Sequence, residues 1–210
     1  MRRTKYFKIV PFVFMPLIFL IIYVSGSHGD ENKLPPDSVK ISGKYYQIVY
    51  PWLGHKIGDK SDSIPGNLSM IPREYACDSS RIFVTQETRV AFISMIKQAE
   101  KDGVFFKARS GFRSYSYQAQ LFAARMAKGR SFEHVAKNIA PPGYSQHMLG
   151  TAFDLATDTV PFADSKAYRW LKVNAGNYGF IESYPENSEL GFSWEAWHWR
   201  YIGVDNDTLR

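Results

Sequence analysis

The chain has 210 residues, of which 45% are apolar and 22% charged, and Cys77 is its single cysteine. That balance excludes wholesale disorder, and one cysteine excludes an internal disulfide framework or a closed cysteine-type metal site. Arg2, Arg3, Lys5 and Lys8 supply four of the six net positive charges, leaving +2 and no interleaved basic and aromatic run, so nucleic acid is not an expected partner.

The basic opening MRRTKYFK precedes sixteen uncharged residues, Ile9 to Val24, and then the small residues Ser25 and Gly26. A basic segment before an apolar one is the pattern of an export signal. Residues 1–26 are expected to be a signal peptide or an N-terminal membrane anchor, with residues 9–24 as the attachment segment. Sixteen residues fall short of the roughly 20 needed to span a bilayer, which favours cleavage. Residues 27–40, SHGDENKLPPDSVK, read as a polar linker, and residues 41–210 as one domain.

Within that domain, ISGKYYQIVY alternates enough for a strand or hairpin arm. Pro51 to Ser80, rich in Gly, Pro, Ser and Asp, reads as loop with one or two short extended pieces. VTQETRVAFISMIKQAEKDG is the clearest helix. Thr85 suits its N-cap, Glu87 its first turn, Val90, Ile93 and Ile96 recur at helical spacing, and Gly103 ends it. VFFKA predicts a strand. Helices follow over Ser116 to Lys128 and Ser131 to Asn138, a strand over TAFDLA, a helix from Ser165 to Gly179, and strands at FIES and HWRYI. The pattern predicts an α+β domain, with helices packed around a small, mainly antiparallel sheet. Nothing in it calls for an oligomer, and a monomer is expected.

Two stretches carry chemistry. PPGYSQHMLGTAFDLA places His147 and Asp154 seven residues apart beside an apolar strand, and WEAWHWRYIG places Glu195 and His198 among aromatics. A buried histidine or carboxylate costs free energy unless it is paired or metal-bound. His28, His55 and His134 have no partner at a recognisable spacing and read as solvated or structural. Two imidazoles and one carboxylate are donors that zinc accepts, and three protein ligands with an open fourth position is the catalytic arrangement. Glu195 would then be a fourth ligand or a base that takes a proton from the metal-activated water.

SGFRSYSYQAQLF, YSQHMLGTAFDL and NYGFIESYPENSELGFSWEAWHWRYIG resemble the signature blocks of the VanY-type D-alanyl-D-alanine carboxypeptidases and their L,D-carboxypeptidase relatives, over residues 84–203. The resemblance implies a zinc peptidase of bacterial peptidoglycan, exported to the periplasm or the outer face of the cytoplasmic membrane. It implies one zinc ion held by His147, Asp154 and His198, with Glu195 as catalytic base. It places Arg113 and Gln118 where the family holds its peptide substrate, Arg113 facing a carboxylate or developing oxyanion, and Ser145 where the substrate's terminal group is bound. Two positions depart from the family pattern: Ala196 stands where Pro is common, and Ser183 where many members carry Arg.

The expected function is removal of the C-terminal D-Ala from stem peptides by Glu-assisted attack of metal-bound water. An L,D-carboxypeptidase or a cross-link endopeptidase would use the same site. A metal-bound module that holds wall peptides without cutting them is the alternative of a different class, and a base beside the metal argues against it. One geometric demand follows. Side chains three apart on a regular strand point to opposite faces, so the backbone between Glu195 and His198 must leave strand geometry, with Ala196 the expected place.

Overall fold

The structure, a computed structural model, describes residues 37–59, 64–158 and 160–203, which all belong to the compact unit Leu34–Arg210. The expected export segment, residues 1–26, lies outside the described residues. Among those described, no helix is long and apolar enough to cross a membrane.

Strand β1 (Ser38–Ile41) begins inside the stretch read as linker, because Val39 and Ile41 alternate inward and are buried. It pairs with β2 (Lys44–Gln47) as an antiparallel hairpin. The long loop that follows contributes one short strand, β3 (Leu68–Met70), which pairs with β4 (Phe83–Thr85). Cys77 lies between them as a half-buried free thiol.

Helix α1 (Gln86–Lys101) starts as its sequence dictates, with Thr85 Oγ1 accepting from the Thr88 amide at 3.4 Å. Its buried stripe differs from the expected one. Phe92, Met95, Ile96 and Ala99 face the core, while Val90 is 55% exposed. The bulkier Phe and Met residues decide which face turns inward, since each removes more apolar area from water than a valine. Gly103 follows the helix at φ +71°, a left-handed conformation that costs glycine little.

Strand β5 (Lys107–Ser110) starts three residues later than VFFKA suggests, and the residues before it fill the core as an irregular lead-in, Val104 and Phe106 being buried. Helices α2 (Tyr115–Met126) and α3 (Phe132–Ala136) are capped by Ser114 and Ser131. Strand β6 (Ala152–Ala156) is followed by α4 (Lys166–Asn174), capped by Ser165. The segment read as one helix to Gly179 tightens at Ala175 into a 3-10 turn that ends at Gly179 in the left-handed conformation. Strands β7 (Phe180–Glu182) and β8 (His198–Tyr201) complete a four-stranded sheet of order β5-β6-β8-β7, antiparallel throughout. The fold is the α+β arrangement that the sequence predicts.

This sheet separates two apolar clusters. On one face Phe153, Leu155, Phe180 and Trp199 meet α1 and α4, with Phe92 stacked on Phe153 at 4.3 Å between ring centres. The second cluster packs Phe122, Phe132 and Val135 of α2 and α3 against Val39, Ile41, Trp52, Tyr144 and Tyr184. By strand alternation, Asp154, His198 and Arg200 project from the sheet face opposite Phe153 and Trp199. Polar chemistry is thus carried on a strand pair whose other face is anchored in the main core.

Truncating Phe92 to Ala should cost about 3–5 kcal/mol by emptying the centre of that core, whereas Val90→Ala should stay within about 0.5 kcal/mol. Urea midpoints at constant m-value would measure both; equal costs would show that α1 faces the other way.

Candidate metal centre and peptide cleft

The antiparallel register brings the site together in one row across the sheet. Ser110, Asp154 and His198 are successive cross-strand partners on β5, β6 and β8, with a bulge between Ala108 and Ser110. His147 arrives from outside the sheet, on a 3-10 turn (Gln146–Leu149) closed by Gly150 at φ +68°. The ligand-type atoms of His147, Asp154 and His198 all lie within 4.8 Å of one another.

Each imidazole is oriented by its other nitrogen. His147 Nδ1 lies 2.7 Å from the Gly111 carbonyl oxygen, which can only accept, so Nδ1 carries a proton, and Nε2 faces Asp154 Oδ1 at 3.2 Å. His198 is held the opposite way round. Its Nε2 donates to Gln146 Oε1 at 3.1 Å, and its Nδ1 faces Asp154 Oδ1 at 3.2 Å. Fixing the tautomer by a bond to the distal nitrogen is how proteins prepare histidines to hold a metal. The donor set of two imidazole nitrogens and one carboxylate oxygen, half-enclosed and pre-oriented, fits a zinc ion with a position left for a further ligand.

Gly111 is required at its position. A Cβ there would come within 2.6 Å of the Phe83 carbonyl oxygen and of Ile82 Cγ2. The same close approach lets the Phe112 amide bond Phe83 O at 2.7 Å, and the Arg113 amide bonds His147 O at 3.2 Å. The loop after β5 and the His147 turn are therefore tied together by backbone and side chain at once.

Arg113 does not wait free for substrate. Its Nη2 pairs with Asp154 Oδ2, and its Nε donates to Ser110 Oγ at 2.8 Å. One carboxylate thus serves the imidazoles through Oδ1 and the guanidinium through Oδ2. Burial opposes ionisation of Asp154, but His147, His198 and Arg113 outweigh it and hold the carboxyl well below its usual range. Burial lowers the pKa of His198, against the pull of Asp154.

Glu195 reaches the same side of the sheet by the expected irregularity. Residues 196 and 197 form a turn in which the His198 amide bonds Glu195 O at 2.9 Å, and β8 starts only at His198. Ala196 sits buried in that turn, its carbonyl accepting from Trp199 Nε1 at 2.9 Å. The Glu195 Oε2 atom is 3.7 Å from His198 Nδ1, too far for a hydrogen bond and close enough to act on a molecule held between them. Burial pushes its carboxyl up to about 7, with His198 and Arg113 opposing and Asp154 reinforcing the rise.

All seven candidate residues line one cleft of about 210 Å³. Gln118 is 1% exposed; its Nε2 donates to Ala140 O at 2.8 Å, while its Oε1 has no partner among the described residues. Ser145 is buried beside the His147 turn. Of the other histidines, His55 packs its ring on Phe192, His134 lies on α3, and His28 is outside the described residues. Sequence reasoning missed Gln146, Ser110, Trp52, Tyr184 and Trp197, which support or line the same cleft. Gln146 could have been suspected as the neighbour of His147. Trp52 carries no such signal, since it lies in a loop far from the motif blocks.

The family model described as VanY: D-alanyl-D-alanine carboxypeptidase matches residues 81–204. Among curated relatives, a putative carboxypeptidase YodJ of Bacillus subtilis is 33% identical over 69% of this chain and 58% of its own length. A D-alanyl-D-alanine carboxypeptidase of Enterococcus faecium is 32% identical over 64% of this chain and 43% of its own length. The chain therefore spans about half the length of these relatives. Among solved structures, the LD-carboxypeptidase LdcB matches with a TM-score of 0.63 at 26% identity, over 82% of this chain and 87% of that one. The vancomycin-resistance D,D-pentapeptidase VanY, solved in complex with Zn(II), matches with a TM-score of 0.53 at 29% identity, over 67% of this chain and 87% of that one. On the family match and the geometry together, the chain belongs to the VanY D-alanyl-D-alanine carboxypeptidase family.

Proposed function

We propose that this protein is an exported, zinc-dependent carboxypeptidase that removes the C-terminal D-Ala from peptidoglycan stem peptides. The observation that carries the reading is the meeting of two pre-oriented imidazoles and Asp154 with a separate, half-buried carboxylate, Glu195, turned to the same side. A binding module has no use for that fourth group. His147 through Nε2, His198 through Nδ1 and Asp154 through Oδ1 would hold one zinc ion. Bound there, zinc supplies Lewis acidity towards a water and the scissile carbonyl.

The chain's own groups do the rest. Glu195, with its carboxyl raised towards neutral pH, takes the proton of the attacking water and returns it to the leaving amine. Arg113 holds Asp154 ionised and presents its remaining N–H groups to the cleft, where they stabilise a carboxylate or developing oxyanion. Gln118 and Ser145 lie in the cleft wall where the peptide and its terminal group would be bound. Export rests on the basic and apolar segments of residues 1–26.

An L,D-specificity is the second reading, because the LdcB likeness extends over 82% of this chain. Incubation with defined pentapeptide and tetrapeptide stems, followed by mass analysis, separates the two. Loss of one D-Ala from the pentapeptide supports the first reading, and loss from the tetrapeptide supports the second. Release from neither sinks both.

His147→Ala should abolish both stoichiometric zinc and turnover, as read by elemental analysis and peptide release. Glu195→Gln should keep the zinc and lower turnover by roughly 10²–10⁴, the usual cost of losing a general base. Zinc retained in the first variant, or lost in the second, would reassign the ligands.

A further inference from the structure

Beyond the metal cleft lies a second cavity of about 320 Å³, bordered by Arg200, Ser183, Ile57, Tyr144 and Phe192. Trp52, Gln146 and Tyr184 line both hollows, so the two adjoin across a shared wall. Arg200 is two residues along β8 from His198, which puts both side chains on one face, about 7 Å apart along the strand. Ile181 is its cross-strand partner on β7, and the chain after β7 carries Ser183 into the same cavity.

Two polar atoms of residues that border this cavity are unspent. Arg200 Nε and Ser183 Oγ are both buried without a hydrogen-bond partner among the described residues. Nor does any described carboxylate pair with the Arg200 guanidinium; the ion pairs present involve Lys56, Arg113, His147, Lys172 and His198. Glu182 borders the cavity, but its carboxylate is already engaged. Lys172 Nζ lies 2.7 Å from Oε2, and Oε1 accepts from Tyr168 at 3.0 Å and Trp194 at 3.1 Å. A half-buried cation with an idle donor costs free energy unless something anionic comes to it.

Resting on the peptidase reading, we propose that this cavity is an anion subsite in which Arg200 and Ser183 bind a substrate carboxylate upstream of the scissile bond. The guanidinium supplies charge and the Nε–H donor, the Ser183 hydroxyl a second donor, and the aromatic and aliphatic walls exclude water from the pair. Trp52 is fixed in the shared wall by its Nε1 bond to Ala136 O at 2.7 Å and its edge contact with Phe192. The loop that precedes the family-matched region thereby becomes part of substrate selection. Two residues of a stem peptide could present such an acid: a γ-linked glutamyl residue through its free α-carboxylate, or a diamino-diacid at the third position.

The test compares stem peptides that differ only by carboxylate against carboxamide. One arm changes the glutamyl position with lysine third, and the other changes the third residue with the glutamyl group amidated. In one of the two arms the acid should be favoured roughly ten- to hundredfold in kcat/KM, mainly through KM, as expected for a hydrogen-bonded charge pair. Arg200→Met should bring that ratio to about one at unchanged zinc content, and Ser183→Ala should lower it part-way. Equal use of acid and amide in both arms by the unaltered protein would overturn the subsite, as would an unchanged ratio in Arg200→Met. Should Arg200→Met fail to fold, an unchanged ratio in Ser183→Ala would overturn the paired-donor assignment. If no peptide is cut at all, the peptidase reading fails separately, and titration of the intact acid and amide peptides gives the same ratio as a Kd difference.

Discussion

Burying one carboxylate among two imidazoles and a guanidinium is the constraint on which the site depends. Asp154 sits on a strand whose neighbours, Phe153 and Leu155, are locked in the main core, and its own side chain is only 15% exposed. Its ionisation is sustained only because Oδ1 faces His147 and His198 while Oδ2 takes Arg113. Removing any one of these groups leaves a desolvated charge with too few partners, which is more costly than losing a surface ion pair. The arrangement also prepares the site for a cation. The Gly111 carbonyl and the Gln146 amide hold the distal nitrogens, so the other two ring nitrogens already face the common position.

The second requirement is that chemistry be separate from metal holding. A regular strand would have sent Glu195 and His198 to opposite faces. The turn at residues 196 and 197, fixed by the Glu195–His198 and Ala196–Trp199 bonds, sends them to one. Trp199 then drives its ring into the main core, which anchors the turn from behind. From the other side, Tyr184 packs its ring 4.9 Å from that of His198 and accepts the Glu195 amide on its carbonyl at 3.0 Å. The placement of Glu195 beside His198 is therefore supported by both apolar clusters at once.

Much of this was legible in the residues. Helix starts were legible at Thr85, Ser131 and Ser165, whose hydroxyls cap local amides, a signal contained within four residues, while α2 starts one residue before the expected Ser116, capped by Ser114. The candidate metal ligands were legible because polar residues in apolar surroundings need a reason to be there. The need for a break between Glu195 and His198 followed from strand alternation once both were assigned to one site, and its place at Ala196 from the family resemblance. What stayed hidden depends on contacts between distant segments. The inward face of α1 was set by Phe92 meeting Phe153, not by the spacing of Val90 and Ile93. Arg113 was assigned towards substrate, and only the fold shows that part of its guanidinium is taken by Asp154 and Ser110. Trp52 reaches the cleft across 84 residues of sequence from its bonding partner, a distance no local pattern reports.

The most direct measurement is anomalous diffraction at the zinc edge on crystals of the zinc-loaded protein. The account predicts one peak per chain, bonded to His147 Nε2, His198 Nδ1 and Asp154 Oδ1, with Glu195 standing off by about one water's width. A zinc bonded to Glu195, or to the opposite nitrogen of either histidine, would contradict it.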